Sequence, residues 1–239
     1  MSLESDIHGR LSLVQARVAR AAEVARRDPA AIRLIAVSKT FGIDRVMAAA
    51  SAGQVDFGEN RVQEAVEKIE RTGPLGLRWH LIGHLQGNKA RKAAASFAWI
   101  HSIDSADLLQ RVDRAAVEAG TRPELLVQVD LAGEPTKHGA RPEELDAIFA
   151  AGRECHAGRV AGLMLLPPFM DDPEQARPYF RSLRTLRDEL AAAGVPPAML
   201  VHLSMGMSHD FEMAIEEGAT MVRIGTAIFG HRPPLPGGP

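Results

Sequence analysis

Short apolar runs alternate along this chain with longer stretches whose apolar residues recur every three or four positions. The runs span residues 34–37, 55–57, 79–82, 99–103, 125–131, 160–166, 199–203 and 221–224. Each is continuous and rich in branched or aromatic residues, as expected of parallel strands buried on both faces. The stretches between them read as helices near residues 44–52, 62–71, 88–96, 106–119, 142–155, 174–193 and 210–217, with Ser105 placed to cap the fourth. A leading helix over about 3–27, carrying Leu13, Ala16, Val18 and Ala21 on one face, is stopped by Asp28-Pro29.

Eight strand-then-helix units of near-equal spacing predict an α/β chain folded as a single (β/α)8 TIM barrel with an extra N-terminal helix, one domain over residues 1–239. An open doubly wound sheet is the alternative. It is disfavoured because no G-x-G-x-x-G follows the first strand. The Pro- and Gly-rich tail, 233–239, reads as an ordered end that frays.

Composition narrows the function classes. Lys+Arg total 28 against 30 Asp+Glu, a net charge of -2, so no global basic excess exists to neutralise a nucleic-acid backbone. No apolar run approaches the roughly 18 residues of a membrane helix. The start, Met1-Ser2-Leu3-Glu4-Ser5-Asp6, lacks a basic segment leading into an apolar one, and Cys155 is the single cysteine. A reducing, cytoplasmic setting and a monomer are expected, with no nucleic-acid or membrane partner.

Barrel active faces lie at the C-terminal ends of the strands, and polar residues and glycines collect there. Lysine is scarce: only Lys39, Lys68, Lys89, Lys92 and Lys137 occur. Lys39 follows the first strand directly. It reads either as a snorkelling strand-end lysine or as a desolvated, nucleophilic amine. After the seventh run, Ser204-Met205-Gly206-Met207-Ser208 offers two hydroxyls and a glycine that lets backbone N–H groups approach an anion. After the eighth, Gly225-Thr226 opens a short apolar helix. Loops in these two places are the usual phosphate site of the fold, although ordinary turns with capping hydroxyls would look the same. Arg223 shares a strand face with Gly225 and is expected to point inward, toward a pyridine nitrogen or into an ion pair with Asp104. A phosphate cradle facing an amine is what pyridoxal 5'-phosphate (PLP) requires.

Other candidates divide similarly. His80 is expected to line the barrel and touch a bound ring. Its spacing to His84 straddles a strand end, and without H-E-x-x-H no metal is expected. Asn60 could orient the cofactor's phenolic oxygen or cap a helix. Cys155 reads as a small core residue, and Lys89-Ala90-Arg91-Lys92 as a solvated helix face.

Several segments together carry a resemblance. They are Leu34-Ile35-Ala36-Val37-Ser38-Lys39, Phe57-Gly58-Glu59-Asn60, Trp79-His80-Leu81-Ile82-Gly83-His84-Leu85-Gln86-Gly87-Asn88-Lys89, Leu203-Ser204-Met205-Gly206-Met207-Ser208, and Met221 through Gly230. Over nearly the whole chain the sequence resembles the pyridoxal phosphate homeostasis protein family. The resemblance implies a barrel like the N-terminal domain of alanine racemase, a fold type III PLP protein. It implies an aldimine at Lys39 and phosphate contacts at Ser204, Gly225 and Thr226. Departures are Asp130 where the family often has Asn, His209 where it often has Asp, and a less typical Leu165-Leu166-Pro167-Pro168-Phe169.

The expected function is therefore PLP binding in intracellular PLP homeostasis without robust turnover, with recipient apo-enzymes as possible partners. An amino-acid racemase is the alternative. It needs an acid/base on each face of the α-carbon, and the second base in alanine racemase relatives is a tyrosine from a separate domain. The one tyrosine here, Tyr179, falls in the sixth helix after a strand. A cofactor-free Schiff-base aldolase is a third reading.

Overall fold

The structure, a computed structural model, describes residues 2–133 and 138–230. Eight parallel strands pair in sequence order, and the last closes on the first. They are β1 Arg33–Val37, β2 Asp56–Glu59, β3 Arg78–Leu81, β4 Trp99–Ile103, β5 Glu124–Val129, β6 Arg159–Leu165, β7 His202–Met207 and β8 Met221–Ile224. The helices are α1 Leu3–Val24, α2 Ile43–Ser51, α3 Val62–Thr72, α4 Ala90–Ser96, α5 Ala106–Ala119, α6 Leu145–Arg153, α7 Arg177–Ala192, α8 Phe211–Glu216 and α9 Thr226–Phe229. The barrel, its leading helix and the Ser105 cap, whose hydroxyl accepts from Leu108 N at 3.3 Å, are as expected. The tail 233–239 lies outside the described residues, as does 134–137.

Strand alternation sends one set of side chains toward the helices and the other into the barrel. The outward set, including Phe57, Leu81, Ile100, Val127, Leu163 and Val222, builds the main core. The inward set is a smaller cluster of Ile35, Trp99, Leu126, Ala161, Met164 and Met221. Helix α1 lies against α2, α8 and α9 and so covers the seam where β8 meets β1. Arg45 of α2 locks that seam by donating to Phe229 O at 2.6 Å. The buried face of α1 is Ile7, Leu11, Val14, Val18, Ala21 and Ala22, whereas Leu13 is 67% exposed. The expected face thus shares only Val18 and Ala21 with the observed one, because Leu11 and Val14 set its phase.

Strand β7 differs from the expected 199–203. Pro196-Pro197 turns the apolar residues that follow into a 3-10 turn, Pro197–Met199, and the strand begins only at His202. Residues read as a loop, Ser204 to Met207, are therefore strand. Between Ser204↔Met221 and Met207↔Arg223 three residue steps on β7 face two on β8, a β-bulge. Gly206 sits in it at φ 90°.

Away from the barrel mouth, Asp113 of α5 fixes the entry to β6 by accepting backbone N–H bonds from His156, Ala157 and Gly158 at 2.8–3.1 Å. Burial alone would raise its carboxyl, but these donors more than offset that and hold it below the ordinary carboxylate range. A depressed pKa stabilises the fold above the unfolded-state pKa, and the contribution is lost as pH falls through the native value. Asp113→Asn should therefore lower unfolding free energy near pH 7 by about 1.5 kcal/mol. The gap to wild type should narrow in acid, as read by urea denaturation at both pH values.

Candidate functional site

The C-terminal ends of the strands open into a cavity of about 590 Å³. Val37, Ile82, Leu166 and Met207 give it apolar walls, and Lys39, Asn60, Ser208, Asp210, Arg223, Gly225 and Thr226 supply its polar groups. The cavity therefore gathers Lys39, Asn60 and the Arg223, Gly225 and Thr226 group from three distant places in the sequence.

Lys39 is half-buried just beyond β1. The turn that presents it is strained: Thr40, a β-branched residue, has φ 69°. Conformations of this kind cost about 1–3 kcal/mol and persist where the surroundings enforce them. Here Thr40 N donates to Glu64 Oε1 at 2.7 Å, and Phe41 N donates back to Ser38 O at 3.1 Å. Beneath the turn, the buried Lys68 Nζ donates to Ser38 O, Glu59 Oε1 and Glu64 Oε1 at 2.9, 2.7 and 2.9 Å. Ser38 Oγ adds a 2.6 Å bond to Glu59 Oε1. Burial raises the Glu59 carboxyl, opposed by the Lys68 and Ser38 bonds. The sequence hid this support, because Lys68 four residues after Glu64 on an amphipathic helix looks like a surface pair.

Asn60 is held by a close backbone approach. A Cβ on Gly83 would lie 2.3 Å from Asn60 O, so only glycine lets β3 end against it.

The phosphate-type loops are rearranged by the β7 bulge. Ser204 is fully buried inside the barrel, where its Oγ accepts from Arg223 Nη1 at 2.6 Å and meets His101 Nδ1 at 2.9 Å. It does not line the cavity. Ser208 does, and its Oγ accepts from Gly225 N at 3.2 Å, leaving its own O–H to donate. Gly206 also stands apart: a Cβ there would meet Ala214 Cβ at 2.6 Å and Phe211 Cα at 3.0 Å. Its service is to seat α8 on β7.

His80 lies one inward position below Ile82, fully buried, with its ring stacked on Trp99 at 5.7 Å. It bonds Asp56 and His101 rather than lining the cavity. Arg223 is buried at the cavity wall, and its Nη2 donates to Leu165 O at 2.8 Å. Among the described residues no carboxylate bonds it. Asp104 instead faces His84 Nδ1 at 3.6 Å, and the field of Asp210 supports the charge. Burial lowers the Arg223 pKa to about 10, so it remains cationic at neutral pH.

On the rim His84, Asp104 and His138 approach one another within 4.8 Å. The two rings are nearly parallel, 10° apart with centroids 3.5 Å apart. Their in-plane lone pairs then run side by side instead of converging at the roughly 2.0–2.1 Å a zinc ligand needs. This trio is a ring stack with a carboxylate beside it, and burial with the neighbouring His138 lowers the His84 pKa. Cys155 packs against the core, its thiol pushed up to about 11 by burial. Lys89, Arg91 and Lys92 are exposed.

Comparison with known proteins places this geometry. The alanine racemase N-terminal domain family matches residues 10–233. A pyridoxal phosphate homeostasis protein of Aquifex aeolicus is 44% identical over 93% of this chain and 97% of its own. The protein of that name from Escherichia coli K12 is 40% identical over 95% and 97%. The chain belongs to the pyridoxal phosphate homeostasis protein family. PipY of Synechococcus elongatus, solved with PLP bound, superposes with a TM-score of 0.83 at 40% identity over 94% of this chain and 100% of that one. An alanine racemase of Clostridium difficile shares the fold, with a TM-score of 0.69 at 17% identity, 96% of this chain covering 57% of that one.

The two roles available to Gly206 separate experimentally. Gly206→Ala should destabilise the fold by about 1–3 kcal/mol, through the crowded Ala214 and Phe211 and the positive φ. Inorganic phosphate, titrated calorimetrically against the folded variant, should bind as it does to wild type.

Proposed function

We propose that this protein binds PLP in the barrel-mouth cavity, covalently through Lys39 Nζ, and serves intracellular PLP homeostasis in the cytoplasm without robust catalytic turnover. The observation that carries the reading is the shared cavity of Lys39 and Arg223. Lys39, on a strained turn, lines the same space as a buried cation that no carboxylate bonds among the described residues, and a ligand bringing an aldehyde and acceptors would meet both groups. Membership of the family and the PLP-bound relative support it.

The residues present fit the group. Ser208 Oγ–H and the neighbouring Gly225-Thr226 segment would hold the phosphate, Ser208 taking the place first expected of Ser204. Arg223 would donate toward the pyridine nitrogen, and Asn60 toward the phenolic oxygen. Val37, Ile82 and Met207 would exclude water from the ring faces. When bound, PLP supplies an aldehyde for an amine and a ring that can withdraw electrons from it. Arg223 restrains the second property, because a proton on the ring nitrogen would set two positive charges side by side in a desolvated place. Lys39 lines an open cavity, where an incoming amine would compete with it for the aldehyde, and recipient apo-enzymes are the proposed partners. The racemase alternative is less well served. Tyr179 sits on α7 among residues packed on the helical core, and no tyrosine lines the cavity.

Borohydride reduction after incubation with PLP tests the reading. Wild type should retain a reduced adduct that peptide mapping places on Lys39. Lys39→Ala should lose it while keeping its stability within about 0.5 kcal/mol, since truncation spares the β1 core. Unchanged labelling in the variant would overturn the assignment.

A further inference from the structure

Barrel interiors of this kind are filled mainly by branched apolar side chains in layers. This one is crossed by an unbroken line of polar groups. Arg223 Nη1 bonds Ser204 Oγ at 2.6 Å, Ser204 Oγ bonds His101 Nδ1 at 2.9 Å, His101 Nε2 bonds His80 Nδ1 at 3.0 Å, and His80 Nε2 bonds Asp56 Oδ1 at 2.9 Å. Ser204, His101 and His80 are fully buried, and Arg223 and Asp56 nearly so. The line starts at the cavity wall on β8 and ends at the first residue of β2, on the opposite face of the barrel, where Arg78 makes two bonds to Asp56 at 2.9 and 2.7 Å.

Its two ends fix the direction of every proton in it. A guanidinium can only donate, and an ionised carboxylate can only accept. Ser204 must therefore accept from Arg223 and give its own proton to His101 Nδ1. His101 must then carry its proton on Nε2 and donate to His80 Nδ1, and His80 must carry its proton on Nε2 and donate to Asp56. No other arrangement satisfies all four bonds with both rings neutral. Burial favours that neutrality: it lowers the His80 pKa and holds His101 well below the ordinary histidine value. At the far end, burial would raise the Asp56 carboxyl, but the His80 and Arg78 bonds hold it below the ordinary range and keep it an acceptor.

We propose that Asp56, His80, His101 and Ser204 are positioning residues: a one-way hydrogen-bonded chain that pins Arg223 as a fixed donor toward the ring nitrogen of the bound ligand. The proposal rests on the PLP reading above for the identity of that ligand. Leu165 O holds a second guanidinium nitrogen, so Arg223 cannot swing without breaking a bond at each. No carboxylate stands in the line near Arg223, so the ligand nitrogen meets a full cation that it cannot neutralise by shedding a proton. His80, which the sequence suggested as a ring contact, acts on this account from two residues behind Arg223 in the chain.

Two experiments test it. Long-range 15N–1H correlation spectra of the ligand-free protein at neutral pH should show His80 and His101 both as neutral Nε2–H tautomers. An Nδ1–H tautomer at either, or a charged ring, would overturn the chain whether or not PLP binds. Second, affinities are compared for PLP and its 1-deaza analogue, which has C–H in place of the ring nitrogen. Ser204→Ala should weaken PLP about tenfold, roughly the worth of one hydrogen bond to a charged group, and the analogue less than twofold. Equal losses for both would mean general loosening and would overturn the positioning role. The conservative His101→Gln, which can still accept from Ser204 and donate to His80, should restore more of the PLP preference than His101→Leu. Parity of the two variants would count against the chain. Failure of wild type to bind PLP at all would refute the proposed function, and the tautomer spectra would still decide the chain.

Discussion

A guanidinium is buried at the floor of the barrel-mouth cavity, with no carboxylate bonded to it among the described residues, and much of the interior is arranged around that fact. Taking such a charge out of water costs several kcal/mol even after relaxation, on the order of the stability of a whole domain. Arg223 meets that cost with a hydroxyl, a backbone carbonyl and the field of Asp210. A directly bonded carboxylate would be cheaper for stability alone. Keeping the partners neutral preserves a positive potential at the cavity wall, where an acceptor-bearing ligand can use it.

The rest of the site follows from how the strands deliver residues to that wall. One bulge in β7 brings Met207 to the height of Arg223 and drops Ser204 into the interior beside it. One strained turn after β1 lifts Lys39 to the mouth, and the buried Lys68 with Glu59 and Glu64 holds that turn from the helical side. Two of the five lysines thus serve one geometry, one as the half-buried amine at the cavity and one as its support. Stability and function are coupled here, since loss of Lys68 would leave the buried Glu59 without its cation beside Ser38, the residue before Lys39.

Much of the architecture could be read from the chain. Continuous branched runs such as Leu34–Val37 admit few environments other than a parallel barrel strand, and Lys39, Asn60, Arg223, Gly225 and Thr226 could be placed because each follows or ends such a run. What could not be read was depth and phase. Met199-Leu200-Val201 has the composition of a strand, yet the preceding prolines make a 3-10 turn of its start, and the shift turns Ser204 from rim to interior and gives the rim to Ser208. His80 was recognisable as inward-facing, but its distance below the mouth depended on how far β3 runs to Ile82. Asp56 and His101 carried a faint signal, a polar residue beginning or interrupting an apolar run, which acquires meaning only when the barrel closes and brings β2, β3, β4, β7 and β8 into one line.

A barrel that holds PLP against an unyielding cation should bind and exchange it while leaving attached amines chemically quiet. The direct measurement is proton NMR of the PLP-loaded protein with L-alanine in heavy water, following the α-proton and the free cofactor together. Release of cofactor with the α-proton retained and the alanine still L is the predicted result. Deuteration and racemisation at an ordinary enzymatic rate, on the order of 10 per second, would contradict it and make the protein a racemase.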